Sequence, residues 1–246
     1  MLNLFMIKLY QKIESIFKYS DKVIEILFLI TFSLYIISIT LHHSNMMSIF
    51  LISNFVSKTI KYSLLAMVFL CAYSIITLEF NIKSTLILLL LGLLLLFNYY
   101  KCHDGRLILI YCAVVSAKDY NYNKIIKISF MCVLLSFLSV LIFRFLNLIP
   151  DISEEMSREN GIVRHGLGFY VANVSGYNLV TIVLLYIAYK KSNISILSIV
   201  VILLSNIIIY YFTRTRFPFM CVNIAILLYF LIKFNLIKTR QVAKTT

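Results

Sequence analysis

Between residues 161 and 173 the chain reads Gly-Ile-Val-Arg-His-Gly-Leu-Gly-Phe-Tyr-Val-Ala-Asn, and a second short polar stretch, Thr213-Arg214-Thr215-Arg216, follows about 40 residues later. Each stretch lies between two long apolar runs. Arginine offers a planar, permanently charged fork of N–H donors that matches phosphate and pyrophosphate oxygens. Histidine exchanges a proton near neutral pH and can serve as a general base. Glycines let backbone N–H groups approach an oxyanion, and the helix start that follows favours negative charge. The combination points to an anion-binding site with Arg164, Arg216 and His165 at its centre. Arg214, Arg158, Gly166, Gly168, Asn173 and Thr213 stand around it as candidate substrate-binding residues.

Such a site needs a scaffold, and the composition says which kind. The chain has 246 residues, of which 61% are hydrophobic and 13% charged, with a mean hydropathy of +0.94. Soluble domains average about 25% charged and 45–50% apolar residues, so this is an integral membrane protein. The fold class expected is all-α, with about eight transmembrane helices preceded by an interfacial amphipathic helix.

Residues 1–22 carry Leu2, Phe5, Leu9, Ile13 and Phe17 at helical spacing, with Lys8, Lys12 and Lys18 on the other side. That pattern suits a helix lying in the inner headgroup layer. The transmembrane domain occupies residues 23–234. Its spans are Val23–Leu41, Ile60–Leu78, Ser84–Tyr99, Leu107–Ala117, Ile125–Leu146, Phe169–Tyr189, Ile194–Phe212 and Phe217–Phe234. The fourth run has eleven residues, about 16 Å as a helix, which is short for a crossing. Met46–Val56 is a short apolar lead-in to the second span. One loop has length, residues 147–168. Residues 235–246 form a basic tail.

With the N-terminus inside, 14 of the 23 basic residues fall on the cytoplasmic side, the sign expected from the positive-inside bias. Residue type is more telling than number. The inner set is 13 Lys and one Arg, the outer set six Arg and three Lys. Lysine suffices for a topological signal, so arginines kept outside suggest an anionic ligand there. The net charge of +13 does not imply nucleic acid, because the basic residues sit in short groups at span ends without an aromatic platform. Five cysteines without a C-x-x-C pair, and the lone Cys102-His103-Asp104 cluster, give no metal spacing. No metal and no cofactor are expected.

Arg164-His165-Gly166-Leu167-Gly168-Phe169 with Asn173, followed by Tyr211-Phe212-Thr213-Arg214-Thr215-Arg216, resembles the Wzy-type polysaccharide polymerases of capsule and exopolysaccharide clusters, relatives of the O-antigen polymerase and ligase group. The family pattern is roughly Arg-x-Ser-Leu-Gly-Phe-x-x-Pro-Asn, then Tyr-x-x-Thr-x-Ser-Arg. Here Gly166 replaces the Ser, Ala172 the Pro and Thr215 the second Ser. Members of the family usually continue for several more helices and a second outer loop, so the chain resembles the N-terminal portion, the first part of a GT-C-like fold.

The resemblance implies glycosyl transfer on the outer face of the plasma membrane by a multi-pass protein with a cytoplasmic N-terminus. A glycan on polyprenyl pyrophosphate would pass to another lipid-linked repeat unit, beside other polysaccharide-assembly membrane proteins. Arg164 and Arg216 would hold the leaving pyrophosphate, Arg214 would support them, and His165 is a candidate base. Two other readings stay open: a flippase or transporter for the lipid-linked oligosaccharide, and a non-catalytic remnant or accessory subunit. Ion-coupled transporters carry acidic groups at mid-membrane, whereas Glu25 and Glu79 lie at span ends.

Overall fold

The structure, a computed structural model, describes residues 2–77, 82–102, 105–118, 120–151, 153–155, 163–191 and 193–234. Arg158, Gly161, His103, Asp104 and the basic tail lie outside them. Eight α-helices are described: α1 (Leu2–His42), α2 (Phe50–Thr77), α3 (Ile82–Cys102), α4 (Arg106–Ser116), α5 (Tyr122–Phe145), α6 (Ala172–Lys190), α7 (Ile196–Thr213) and α8 (Arg216–Lys233). A 3-10 turn (Asn45–Ser48) precedes α2, and two short strands, β1 (Ser153–Glu155) and β2 (Val163–His165), lie between α5 and α6.

Six helices are long and apolar enough to cross a membrane, as in a multi-pass membrane protein: Lys22–His42 within α1, then α2, α5, α6, α7 and α8. The apolar stretches Lys83–Asn98 and Leu107–Ser116 are shorter. The amphipathic segment and the first span are one helix rather than two elements. No Gly or Pro occurs before His42, so nothing in the sequence breaks the helix near Lys22. The lead-in at Met46 is also divided differently, its first residues forming the 3-10 turn and the rest the start of α2.

The chain forms two compact units, residues 1–35 with 58–125 and residues 36–57 with 126–246. In the first, α3 packs on α4, where the Tyr111 hydroxyl donates to the Leu88 carbonyl at 2.8 Å. Glu25 accepts from Lys124 Nζ at 2.8 Å, and the Phe28 and Tyr120 rings lie 5.1 Å apart.

The second unit holds both arginine motifs. Its core joins Val133, Phe137 and Val140 of α5, Leu179 and Val183 of α6, Ile209 of α7 and Val222 and Ala225 of α8. Helices α6 and α8 approach closely because Gly176 faces the ring of Pro218. Pro218 is the third residue of α8, where its missing N–H breaks no helical bond. Buried Asn206 of α7 donates to the Phe219 carbonyl at 3.2 Å, tying α7 to α8 with a polar bond inside the apolar layer.

Helix ends at the site are fixed by local chemistry. Asn147, at φ 55°, closes α5 in the left-handed conformation that asparagine tolerates. Leu148 N–H reaches the Phe143 carbonyl at 2.9 Å and Asn147 N–H the Arg144 carbonyl at 3.0 Å, the bond pair of a Schellman cap. Arg214 ends α7 at φ 50°, its N–H on the Tyr210 carbonyl at 2.8 Å.

Candidate functional site

The loop after α5 is pinned at three apolar points. Ile149, Leu167 and Phe169 are all buried, and the Phe169 ring stacks on Phe137 of α5 with centroids 5.7 Å apart. Burying such a ring contributes about 1.5–3 kcal/mol relative to leaving it exposed. Between these pins β1 and β2 pair antiparallel, with Glu154 opposite Arg164 and Ser153 opposite His165.

A tight turn follows at once. Phe169 N–H donates to the Gly166 carbonyl at 3.1 Å, and the two central residues, Leu167 and Gly168, take φ 54° and 85°. Two successive positive φ values characterise the mirror-image hairpin turns, which favour glycine. A side chain at Gly168 would also meet Ile149 Cδ1 at 3.0 Å and Val140 Cγ1 at 3.1 Å.

The end of α1 docks beneath this turn. Ser44 bridges to Phe169, Tyr170 N–H donates to the His43 carbonyl at 3.3 Å, and Asn45 N–H to the Gly168 carbonyl at 2.7 Å. Asn45 Nδ2 adds a bond to the Pro150 carbonyl at 2.8 Å, and Ser44 and Asn45 are both buried. Sequence reasoning missed this contact. Its one signal was a polar His42-His43-Ser44-Asn45 run at a span end, which reads equally as a solvated turn.

The geometry brings the two arginine motifs together. Arg164 Nε donates to the Thr213 carbonyl at 3.0 Å, and its Nη2 to Asn173 Oδ1 at 2.8 Å. A guanidinium has five N–H donors, so these two bonds leave three. Both acceptors are neutral oxygens, which orient the group without cancelling its charge. Thr213 is the last residue of α7, so Arg164 lies against the turn that carries Arg214, Thr215 and Arg216. That turn is tied by side chains: the Thr213 and Thr215 hydroxyls meet at 2.8 Å in a buried pair, and the Thr213 hydroxyl donates to the Ile209 carbonyl at 2.8 Å. Arg214 stacks on the Tyr211 ring at 5.0 Å, and Arg216 opens α8 at an exposed position.

No protein-family model, no curated protein and no solved structure matches the chain.

Several expected site residues have a different part from the one the sequence suggests. Gly168 N–H donates to Asp151 Oδ1 at 3.3 Å, so it serves the loop's own carboxylate rather than an external oxyanion. The Gly166 carbonyl closes the turn. Thr213 acts through its backbone oxygen, since its hydroxyl is engaged within the α7–α8 turn. Asn173 is the second residue of α6, exposed, and holds Arg164.

His165 points to different partners from Arg164. Its Nδ1 lies 3.0 Å from Asp151 Oδ2, and Arg144 Nε approaches the same oxygen at 3.6 Å. Arg144 Nη1 also donates to Asn147 Oδ1 at 3.0 Å. Alternation along β2 sends neighbouring side chains to opposite faces, which separates Arg164 from His165. His165, Asp151, Arg144 and Asn147 line a cavity of about 250 Å³ together with apolar residues that include Phe145 and Phe212. The His165 and Phe212 rings meet edge-on with centroids 6.4 Å apart. Asp151 is the organising residue here, and in the sequence it is one of several loop acids with nothing to mark it.

Proposed function

We propose that the chain is a membrane glycosyltransferase of the polysaccharide-polymerase kind. It passes a glycan from polyprenyl pyrophosphate to a hydroxyl of another lipid-linked repeat unit, on the outer face of the plasma membrane with the N-terminus cytoplasmic. The observation that carries this is Arg164, braced by the Thr213 carbonyl and Asn173 and set against the turn that bears Arg214 and Arg216. In the reaction the acceptor oxygen bonds to the anomeric carbon while the bond from that carbon to the pyrophosphate oxygen breaks. The pyrophosphate leaves as an anion, and the acceptor's proton passes to a base. Arg164 supplies preoriented donors where that charge develops, with Arg216 and Arg214 of the adjoining turn assisting it. Such preorganised donors are worth most in a site with little water.

The test is polymer synthesis in cells that lack the chromosomal copy and carry Arg164→Ala or Arg216→Ala. Loss of one such donor slows the chemical step by on the order of 10²–10³-fold, so long polymer should vanish from gels of surface polysaccharide while single lipid-linked units accumulate. Normal polymer from the double variant, expressed at the wild-type level, overturns the proposal.

A further inference from the structure

We infer that the cavity bounded by Arg144, Asp151, His165 and Phe212 binds one sugar ring. On the proposed function, with which the inference deepens the account of the same end of the helices, this is the acceptor ring.

Three observations lead there. The first is charge. Arg144 and Asp151 face one another at 3.6 Å, and Arg144 spends a further donor on Asn147. With a neutral His165 the described residues of the rim carry no net charge, unlike the cationic turn against which Arg164 lies. A neutral, polar ligand suits it better than an anion.

The second is shape. At about 250 Å³ the cavity falls below the roughly 300–1,000 Å³ of sites for drug-sized ligands, a size that suits a single ring. Its lining combines polar groups (Arg144, Asn147, Asp151, His165) with apolar ones that include the rings of Phe145 and Phe212. That pairing answers a pyranose, which has hydroxyls around its edge and C–H groups on its faces.

The third is the state of the imidazole. A carboxylate only accepts hydrogen bonds, so Asp151 fixes the proton of His165 on Nδ1. In the neutral ring Nε2 then carries the lone pair. The ring lines the cavity with its side chain 42% exposed, while Asp151 is 10% exposed and receives the Gly168 N–H as well. A hydroxyl bound in the cavity can donate to Nε2. When its oxygen attacks the anomeric carbon, the O–H bond breaks and the proton moves to Nε2, giving an imidazolium that Asp151 stabilises. His165 is thus the group that touches the acceptor, and Asp151 is a positioning residue.

The experiment uses the full chain in detergent, labelled with ¹⁵N-histidine and titrated with the methyl glycosides of glucose, galactose and N-acetylglucosamine. The chain's four histidines are assigned with single His→Gln variants. The expected spectrum has His165 protonated at Nδ1, and one glycoside shifts its Nε2 signal saturably. Phe212→Ala, at an exposed position, weakens that glycoside by on the order of tenfold. Asp151→Asn, whose amide can donate or accept, yields both His165 tautomers while the His42 and His43 signals stay in place. A His165 proton on Nε2, or no shift with any of the three glycosides, overturns the inference. Polymer synthesis separates the two claims. If Arg164→Ala abolishes polymer and no glycoside binds, only the sugar site falls; if a glycoside binds and the arginine variants still polymerise, only the proposed reaction falls.

Discussion

Replacing Gly176 with alanine tests whether the α6–α8 contact is as tight as its geometry says. The added Cβ would lie 2.8 Å from Pro218 Cβ, 2.9 Å from Pro218 Cγ and 3.0 Å from Thr215 Oγ1. Carbon–carbon contacts are optimal at roughly 3.5–4.0 Å, so α6 and α8 must separate. The pyrrolidine ring is fused to the α8 backbone and cannot rotate aside. Overpacking of this kind costs about 1–3 kcal/mol, against a gain of about 1 kcal/mol from placing alanine instead of glycine in a helix. The balance is a loss of up to about 2 kcal/mol, which at roughly 2–4 °C per kcal/mol for a chain of this size lowers the melting temperature by several degrees. Gly92→Ala is the control. Its Cβ would meet the Tyr111 ring at 3.4–3.5 Å, ordinary contact, so the helix term alone remains and stability should hold or rise. The assay is thermal melting of both variants in one detergent, read by fluorescence-detected size exclusion. If Gly176→Ala melts no lower than wild type, or no lower than Gly92→Ala, the reasoning about this contact is wrong.

Gly168→Ala should destabilise the turn above Asn45 by about 1–3 kcal/mol, because alanine pays for a positive φ and its Cβ would press on Ile149, Val140 and Arg144 at 3.0–3.2 Å. The measurement is again a melt, and an unchanged midpoint contradicts the turn geometry. In a cysteine-free background, single cysteines at His42, Asn147, Tyr170 and Phe217 should share one accessibility to an impermeant label in intact cells, since all four lie at the end of the second unit that carries the arginines. A cysteine at Asn193, in the turn at the other ends of α6 and α7, should behave oppositely. A split among the first four refutes the arrangement of helix ends.

Much of the scaffold was legible in the sequence. Apolar runs of membrane-crossing length are a local property, since each backbone group in a helix finds its partner four residues away and lipid rewards any apolar surface. The runs at α5, α6, α7 and α8 therefore emerge with bounds within a few residues of the helices found. Where local signals were absent the outcome differed: without a breaker near Lys22 the amphipathic segment and the first span became one helix. Phe169, read as the start of a span, left the helix because Leu167 and Gly168 turn the chain and its ring fills the core against Phe137.

The site divides in the same way. Residue type and spacing marked Arg164, His165 and the Thr213–Arg216 turn as the polar groups that an apolar chain retains between spans. Only the tertiary structure decided who holds whom. Arg164 on Thr213 and Asn173, Asp151 on His165 and Gly168, and Asn45 on Pro150 are hydrogen bonds across 9 to 105 residues of chain. A hydrogen-bonding group accepts any complementary partner, so its sequence neighbours do not choose one. The packing of α5 through α8 does, by fixing which loop ends meet.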